Sequence, residues 1–458
     1  MKSGTANISE IRTNKFRFDC SFHLSDAQRI RKVFEKLPYR CLTVGKVASR
    51  IFNGGRYRRV YVDNPEHGYK FLSSSDILSA DLENVKMVSR KYMGGIDELG
   101  LQKGWTLITR SGTIGKCAFA NAKHAQKLAS EDVIRLVPNN ILREGVIYAF
   151  LASRYGYALL TQGTFGAVIQ HIEPDFVASL PIPEFPKDFQ ERIDNMIQES
   201  ARLREEAAEA LDEALKILQA KFDINIAKYE FTTSKVNVRR IFDSLQTRLD
   251  PPALMNNGVQ AMDIVCSKFE WMPLGKTKAK VRRPGIFKRI YVEEGLPYIK
   301  GSEIFNINPF MRCEHLSKNR TPFVDEMQLY EGQILVTCAG SIGQVKIITK
   351  EYEDNKAIGS QDIIRIETKD ELFTKEYLFA YLQLPFVFEY MQSMKYGSVI
   401  ERVEPFHIES IPVIKPSKEL SQQITLVIRR YMNDMYNAFI LEDGAIKLVE
   451  SEIEKWSK

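Results

Sequence analysis

The sequence predicts a mixed α/β (α+β) protein with two similar globular domains separated by a pair of long antiparallel coiled-coil helices, an internal pseudo-two-fold repeat. Three observations carry this expectation. Sequence blocks recur in order at a nearly constant offset, each copy leaves through a proline-rich exit, and each exit runs into a helix with heptad spacing.

The blocks come first. RSGTIG at 110–115 recurs as CAGSIG at 338–343, an offset of 228. SEDVIR at 130–135 recurs as SQDIIR at 360–365, offset 230, and GAVIQHIEP at 166–174 recurs as GSVIERVEP at 397–405, offset 231. Upstream, Gly45-Lys46 matches Gly275-Lys276 and VYV at 60–62 matches IYV at 290–292, both at 230. Five ordered blocks make the chain two copies of one unit of about 230 residues.

Within each copy, residues 105–109 and 335–337 read as strands entering a glycine-containing turn, followed by strands at 116–120 and 344–348. Further short apolar strands are expected at 133–137 and 363–366, and helices at 146–160 and 375–394. The exits are LPIPEFP at 180–186 and IPVIKP at 411–416. From Phe189 onward, Ile193, Met196, Ser200, Leu203, Ala207, Ala210, Ala214 and Ile217 step in a 4-3 alternation. Shifted by 231, the second seam is Leu420, Ile424, Val427, Tyr431, Asp434, Ala438, Leu441, Ala445 and Leu448, broken only at Asp434, beside Met435. A heptad helix can also pack on its own globule; two matched ones in one chain favour pairing with each other. The expected domains are 1–186 and 235–416, with spacer helices at 187–222 and 417–458.

Composition narrows the function classes. The 458 residues carry 44% hydrophobic and 27% charged residues and a net charge of +6, ordinary for a soluble protein. The polar start MKSGTANISEIRTNK lacks the apolar stretch of a signal peptide, and no segment is long and apolar enough to span a bilayer. Six scattered cysteines without a CxxC pair fit a reducing cytoplasm, and six histidines form no HxxxH or HExxH, so no metal site is expected.

The positive charge is clustered. GKTKAKVRRPGIFKRIYV at 275–292 holds seven Lys/Arg and no acid, and its counterpart GKVASRIFNGGRYRRVYV at 45–62 holds five, again with no acid. A basic run is often merely a solvated face. Two at the same place, with interleaved Tyr57, Tyr61, Phe287 and Tyr291, point to contact with nucleic-acid phosphates.

Two units of the type GTIG … SQDIIRI … GSVIERVEP … IP, each followed by a heptad helix, resemble the DNA-specificity subunits of type I restriction–modification systems over essentially the whole chain. RLDP at 248–251 resembles an element that often opens a recognition domain in that family. The resemblance implies two target-recognition domains, each reading half of a bipartite duplex site, and helices that form a spacer docking two methyltransferase subunits. Restriction subunits would join through these. S-adenosylmethionine, ATP and Mg²⁺ would be bound by the partners, with no cofactor or metal and no catalytic residue on this cytoplasmic chain. The candidate DNA contacts are Lys46, Arg56, Arg58, Arg59, Arg110 and Ser111 in the first copy, and Lys276, Lys278, Lys280, Arg282, Arg283, Lys288, Arg289 and Gln361 in the second. The candidate spacer and partner-binding residues are Phe189, Ile193, Met196 and Leu203, with Leu420, Ile424, Val427 and Tyr431. The family often has Asn-Gln or Ser-Gln before the DIIRI strand; the second copy keeps Ser360-Gln361, whereas the first has Ser130-Glu131. That pair can equally be a strand-edge hydrogen bond.

Enzyme readings fail on their residues. DPPA at 250–253 is similar to an amino-methyltransferase motif but puts Ala253 where an aromatic ring must stack on the flipped base. Glu367-Thr-Lys369 with Asp354 has nuclease-like residues without a counterpart in the first copy, and no Walker loop exists. Two other readings stay open: a specificity subunit for a type IIB fused nuclease–methyltransferase, and an RNA-binding or structural scaffold.

Overall fold

A computed structural model of the chain describes residues 8–13, 26–162, 171–224, 241, 248–250, 253–254, 256–399 and 401–456. Outside them lie most of the polar N-terminal stretch, Cys20, residues 166–170 of the third block, Ile400 in its counterpart, Pro251 and Pro252, and the expected start of the second domain at 235. Contacts divide the chain into two units, Met1–Glu205 with Asn437–Lys458, and Glu206–Tyr436.

In the first unit an antiparallel sheet has the order Ala48–Asn53, Val133–Pro138, Thr106–Thr109, Cys117–Phe119. Its inner strand TLIT is buried at all four positions, as expected of a strand covered on both faces. A second sheet has the order Tyr61–Val62, Met87–Ser89, Gly68–Leu72, Leu128–Ala129, and its last pair is parallel, with Phe71 opposite Leu128. Cys41–Thr43 pairs with Pro181–Pro183, where prolines fit the edge of a two-stranded ribbon.

The second unit has sheets of the same orders: Lys280–Arg282, Ile363–Glu367, Ile334–Thr337, Val345–Ile347, and Tyr291–Val292, Glu314–Leu316, Leu296–Ile299, Ile358–Gly359. Again the last pair is parallel, with Tyr298 opposite Ile358. Trp271–Pro273 pairs with Pro412–Ile414.

Two helices differ from the sequence expectation. The helix read over 146–160 is two, Glu144–Ala152 and Arg154–Gln162, because the Ser153 hydroxyl interrupts the ladder, donating to Phe150 O and accepting from Gly156 N. The helix read over 375–394 is Lys375–Leu382 followed by Pro385–Ser393. Pro385 has no N–H to continue the first helix and starts the second.

Two long helices, Lys187–Phe222 with 36 residues and Lys418–Glu454 with 37, each contribute to both units. In the first unit, Asp194 accepts from Gly145 N at 2.8 Å and Ser200 Oγ donates to Ala438 O at 2.7 Å. Arg204 meets the buried Glu442 at 2.9 Å, and Glu442 also accepts from the Tyr148 hydroxyl, whose pKa burial and that carboxylate push far up. In the second unit, Ala207, Ala210, Ala214, Leu218 and Phe222 join one core with Leu420, Ile424, Ile428 and Tyr431. The helices therefore pack on the globule of each unit and also on each other's segments. Ala at three facing positions permits close approach.

Candidate nucleic-acid interface

Each basic run joins the edge strand of one sheet to the edge strand of the other, Ala48–Asn53 to Tyr61–Val62 and Lys280–Arg282 to Tyr291–Val292. Edge positions keep its long side chains in water. Lys46, Arg56 and Arg58 are exposed, as are Lys276, Lys278, Lys280, Lys288 and Arg289; Arg59, Arg282 and Arg283 are half-buried. Among the described residues, Lys46, Arg58, Lys276, Lys280, Lys288 and Arg289 make no ion pair within 4 Å. Those six are the cations most available to a phosphate.

The remaining candidate cations are drawn into carboxylates. Arg59 pairs with Glu131, which also has Arg56 at 3.7 Å. Arg110 meets Glu173 at 2.5 Å and Asp132 at 3.8 Å. Arg282 meets Glu367 at 2.9 Å, Arg283 meets Glu404 at 3.2 Å, and Lys278 lies 3.7 Å from Asp370. Ser111 is half-buried, its carbonyl accepting from Ser74 Oγ at 3.0 Å. Gln361 Oε1 accepts from Phe287 N at 3.5 Å.

The glycine turns beside the runs are built alike. Gly112 and Gly115 have φ of 73° and 78°, and Gly340 and Gly343 have 72° and 85°. Thr109 Oγ1 accepts from Lys116 N at 3.0 Å, and Thr337 Oγ1 from Gln344 N at 3.0 Å. A side chain at Gly112 or Gly340 would meet nothing, so each turn tip is open to an approaching surface.

Sequence reasoning missed the two residues on which these edges are hung. Arg135 and Arg365 are fully buried. Arg135 donates to the carbonyls of Val133 (2.8 Å), Leu99 (3.0 Å), Ala129 (2.6 Å) and Ser130 (3.3 Å). Arg365 does the same to Ile363 (3.0 Å), Gly359 (3.1 Å), Met327 (3.3 Å) and Ser360 (3.5 Å). Each pins the Ser-Glu or Ser-Gln corner next to the basic run. Burial lowers both pKa values to about 10, so the charge persists at neutral pH. The available signal was an arginine inside an apolar strand at the same place in both copies.

On the helices, Ile193, Leu420, Ile424 and Tyr431 are buried, while Phe189, Met196, Leu203 and Val427 are half-buried. Phe189 packs on Phe185 with ring centres 5.2 Å apart, and Tyr431 stacks on Phe379 at 5.8 Å. The more deeply buried neighbours Ile197 and Ile428 lie one position further on, beside Met196 and Val427. Met435 packs against the second unit's core beside the half-buried Asp434. No helix among the described residues is long and apolar enough to cross a membrane, and none of their His, Cys, Asp and Glu side chains group in threes that could hold a metal.

The chain is similar to the crystal structure of a type I restriction-modification S subunit from M. genitalium, with 14% identity, 92% of this chain and 98% of that chain covered, and a TM-score of 0.35. It is similar to the HsdS subunit from Thermoanaerobacter tengcongensis, at 13% identity, 92% and 97% coverage and a TM-score of 0.29. No curated protein sequence matches. The family described as "Type I restriction modification DNA specificity domain" matches residues 279–447, from the second basic run into the second long helix. It is through those residues that the chain is similar to the type I restriction–modification DNA-specificity domain.

Proposed function

We propose that this chain is the DNA sequence-recognition subunit of a type I restriction–modification complex, itself without catalysis. Each of its two repeats, 1–186 and 235–416, reads one half of a bipartite duplex site. The observation that carries the reading is the acid-free basic run bridging two sheet edges in both units, the second from residue 279 onward inside the matched specificity domain. Lys46, Arg58, Lys276, Lys280, Lys288 and Arg289 supply salt-sensitive attraction to phosphates, and the open glycine turns beside them face the bases.

The long helices, 187–222 and 417–458, form an antiparallel coiled-coil spacer and dock two methyltransferase subunits, through which restriction subunits join. S-adenosylmethionine, ATP and Mg²⁺ act on those partners, in the cytoplasm. Contacts of Ser200 with Ala438, Arg204 with Glu442, and Glu213 with Arg430 support the pairing.

The test is sequencing of methylated bases in cells carrying the chain with its partners. A bipartite motif is expected. Deleting 196–202 together with 427–433 removes one heptad from each helix, about 10 Å of rod at ~1.5 Å per residue. The unspecified spacer should then shorten by about 3 base pairs at ~3.4 Å each. An active complex with an unchanged spacer would refute the ruler, and a continuous motif would refute the two readers.

A further inference from the structure

Arg59 and Arg289 occupy the same place in their units, each beside the edge strand that begins at Tyr61 or Tyr291. Each lies near an aromatic ring that starts the parallel pairing of its sheet. Arg59 sits 5.0 Å from the centre of Phe71, opposite Leu128, and Arg289 sits 5.7 Å from Tyr298, opposite Ile358. What differs is the residue after the buried serine. In the first unit it is Glu131, ion-paired to Arg59; in the second it is Gln361, whose oxygen is turned to Phe287 N.

A guanidinium paired with a carboxylate carries no net charge to trade for counterions, so it adds little to phosphate affinity. It is nonetheless held in one plane and keeps donors unused by the carboxylate. Arg59 donates to Glu131 through Nη2, its side chain is only 29% exposed, and the Phe71 ring lies under it. A fixed, half-buried fork matches the two acceptors O6 and N7 on the major-groove edge of guanine. Arg289 is exposed, and no carboxylate among the described residues lies within ion-pairing distance, so it keeps its full charge.

We infer that Arg59 is a specificity-determining residue that reads a guanine in the half-site of the first unit, with Glu131 as its positioning residue, while Arg289 contributes sequence-independent phosphate attraction. This rests on the proposed DNA-reading function. The Glu131/Gln361 exchange divides the labour at one spot of a shared frame.

The experiment uses the full chain. Bound duplexes are selected from a randomised pool and sequenced, and affinity for a selected duplex is titrated against salt. Arg59→Lys keeps the charge and removes the fork. It should weaken the preference for guanine at one position by roughly 5- to 150-fold, with the salt slope unchanged. Arg289→Gln should leave the motif intact and reduce the slope by about 0.9. If Arg59→Lys does not fold, Glu131→Gln decides, because it leaves Arg59 in place but unpositioned. Blurring at that single position supports the assignment, and an unchanged motif overturns it. An unchanged motif with Arg59→Lys, or a motif altered at one position by Arg289→Gln, also overturns it. Failure of the wild-type chain to bind duplex DNA would instead overturn the reading function beneath it.

Discussion

The two units solve the same internal problem with different side chains. Beneath the helical turn that follows the second strand of the glycine hairpin, one backbone carbonyl in each unit needs a donor. In the first unit this is Ile77 O, met by His124 Nε2 at 3.2 Å, while His124 Nδ1 accepts from Asn121 N. In the second it is Ile304 O, met by the Tyr352 hydroxyl at 3.1 Å and by Lys346 Nζ at 2.6 Å. The carbonyls held by Arg135 and Arg365 correspond in the two units, but the chemistry that satisfies Ile77 O and Ile304 O has diverged. A carboxylate is likewise met from different places: Arg110, just past the inner strand Thr106–Thr109, reaches Glu173, whereas Cys338 stands in Arg110's place and Arg283, just past the edge strand Lys280–Arg282, reaches Glu404. The frame is thus set by backbone pairing and one buried arginine per unit, and polar groups around it are exchangeable wherever the same atom is satisfied.

The largest effects should come from the shared part. Arg135→Ala would leave four buried carbonyls without their donor and should destabilise the first unit by about 4 kcal/mol. Arg365→Ala should do the same to the second. Hydrogen exchange resolved along the chain would show the loss in one unit at a time; equal loss in both units from either substitution would mean the frame is not held locally.

A smaller effect separates the units by pH. Burial lowers the pKa of His124 to about 4 from 6.5. Between those values the unfolded chain binds the extra proton, so its contribution to stability is whole above pH 6.5 and is lost as pH falls toward 4. At about 1.36 kcal/mol per unit, roughly 3 kcal/mol is lost across that window. The acid sensitivity should appear in the first unit's exchange rates and vanish in His124→Tyr, which imports the second unit's solution. Persistence of that pH dependence in His124→Tyr would assign it to other groups. In the second unit burial lowers Lys346 to about 8 from 10.5, so its contribution changes only in alkali, stability rising with pH from 8 to 10.5.

The smallest difference concerns the exchanged ion pairs. Arg283 and Glu404 are 24% and 20% exposed, against 19% and 41% for Arg110 and Glu173. Screening by water therefore leaves Arg283→Ala costing about 1 kcal/mol and Arg110→Ala about 0.5, measured by urea unfolding. The reverse order would show that the less solvated carboxylate is not the better partner.

These contrasts mark how far the sequence could be read. The duplicated GTIG turns, the basic runs and the helix-forming heptads are local patterns, and local patterns survive in a string of letters. Breaks at Ser153 and Pro385 were also visible as residues, yet each lies inside an apolar stretch whose periodicity outweighs a single breaker. The seats of Arg59, Arg110 and Arg283 were not legible. Which carboxylate each arginine finds depends on a partner 72, 63 and 121 residues away along the chain. Arg135 was hidden for a different reason: an arginine suggests a solvated or DNA-facing side chain until the four carbonyls around it are seen.

One division of the chain bears on how the protein is made. The first unit comprises Met1–Glu205 and Asn437–Lys458, with the whole second unit encoded between them. A ribosome adding about 5–20 residues per second needs roughly 10–50 s to cross that interval. Until it does, Tyr148 and Arg204 wait for a carboxylate that has not been translated, since Glu442 lies in the last segment. The half that is born first is therefore the half that is finished last, and the nascent first unit is the stretch a chaperone would have to shelter.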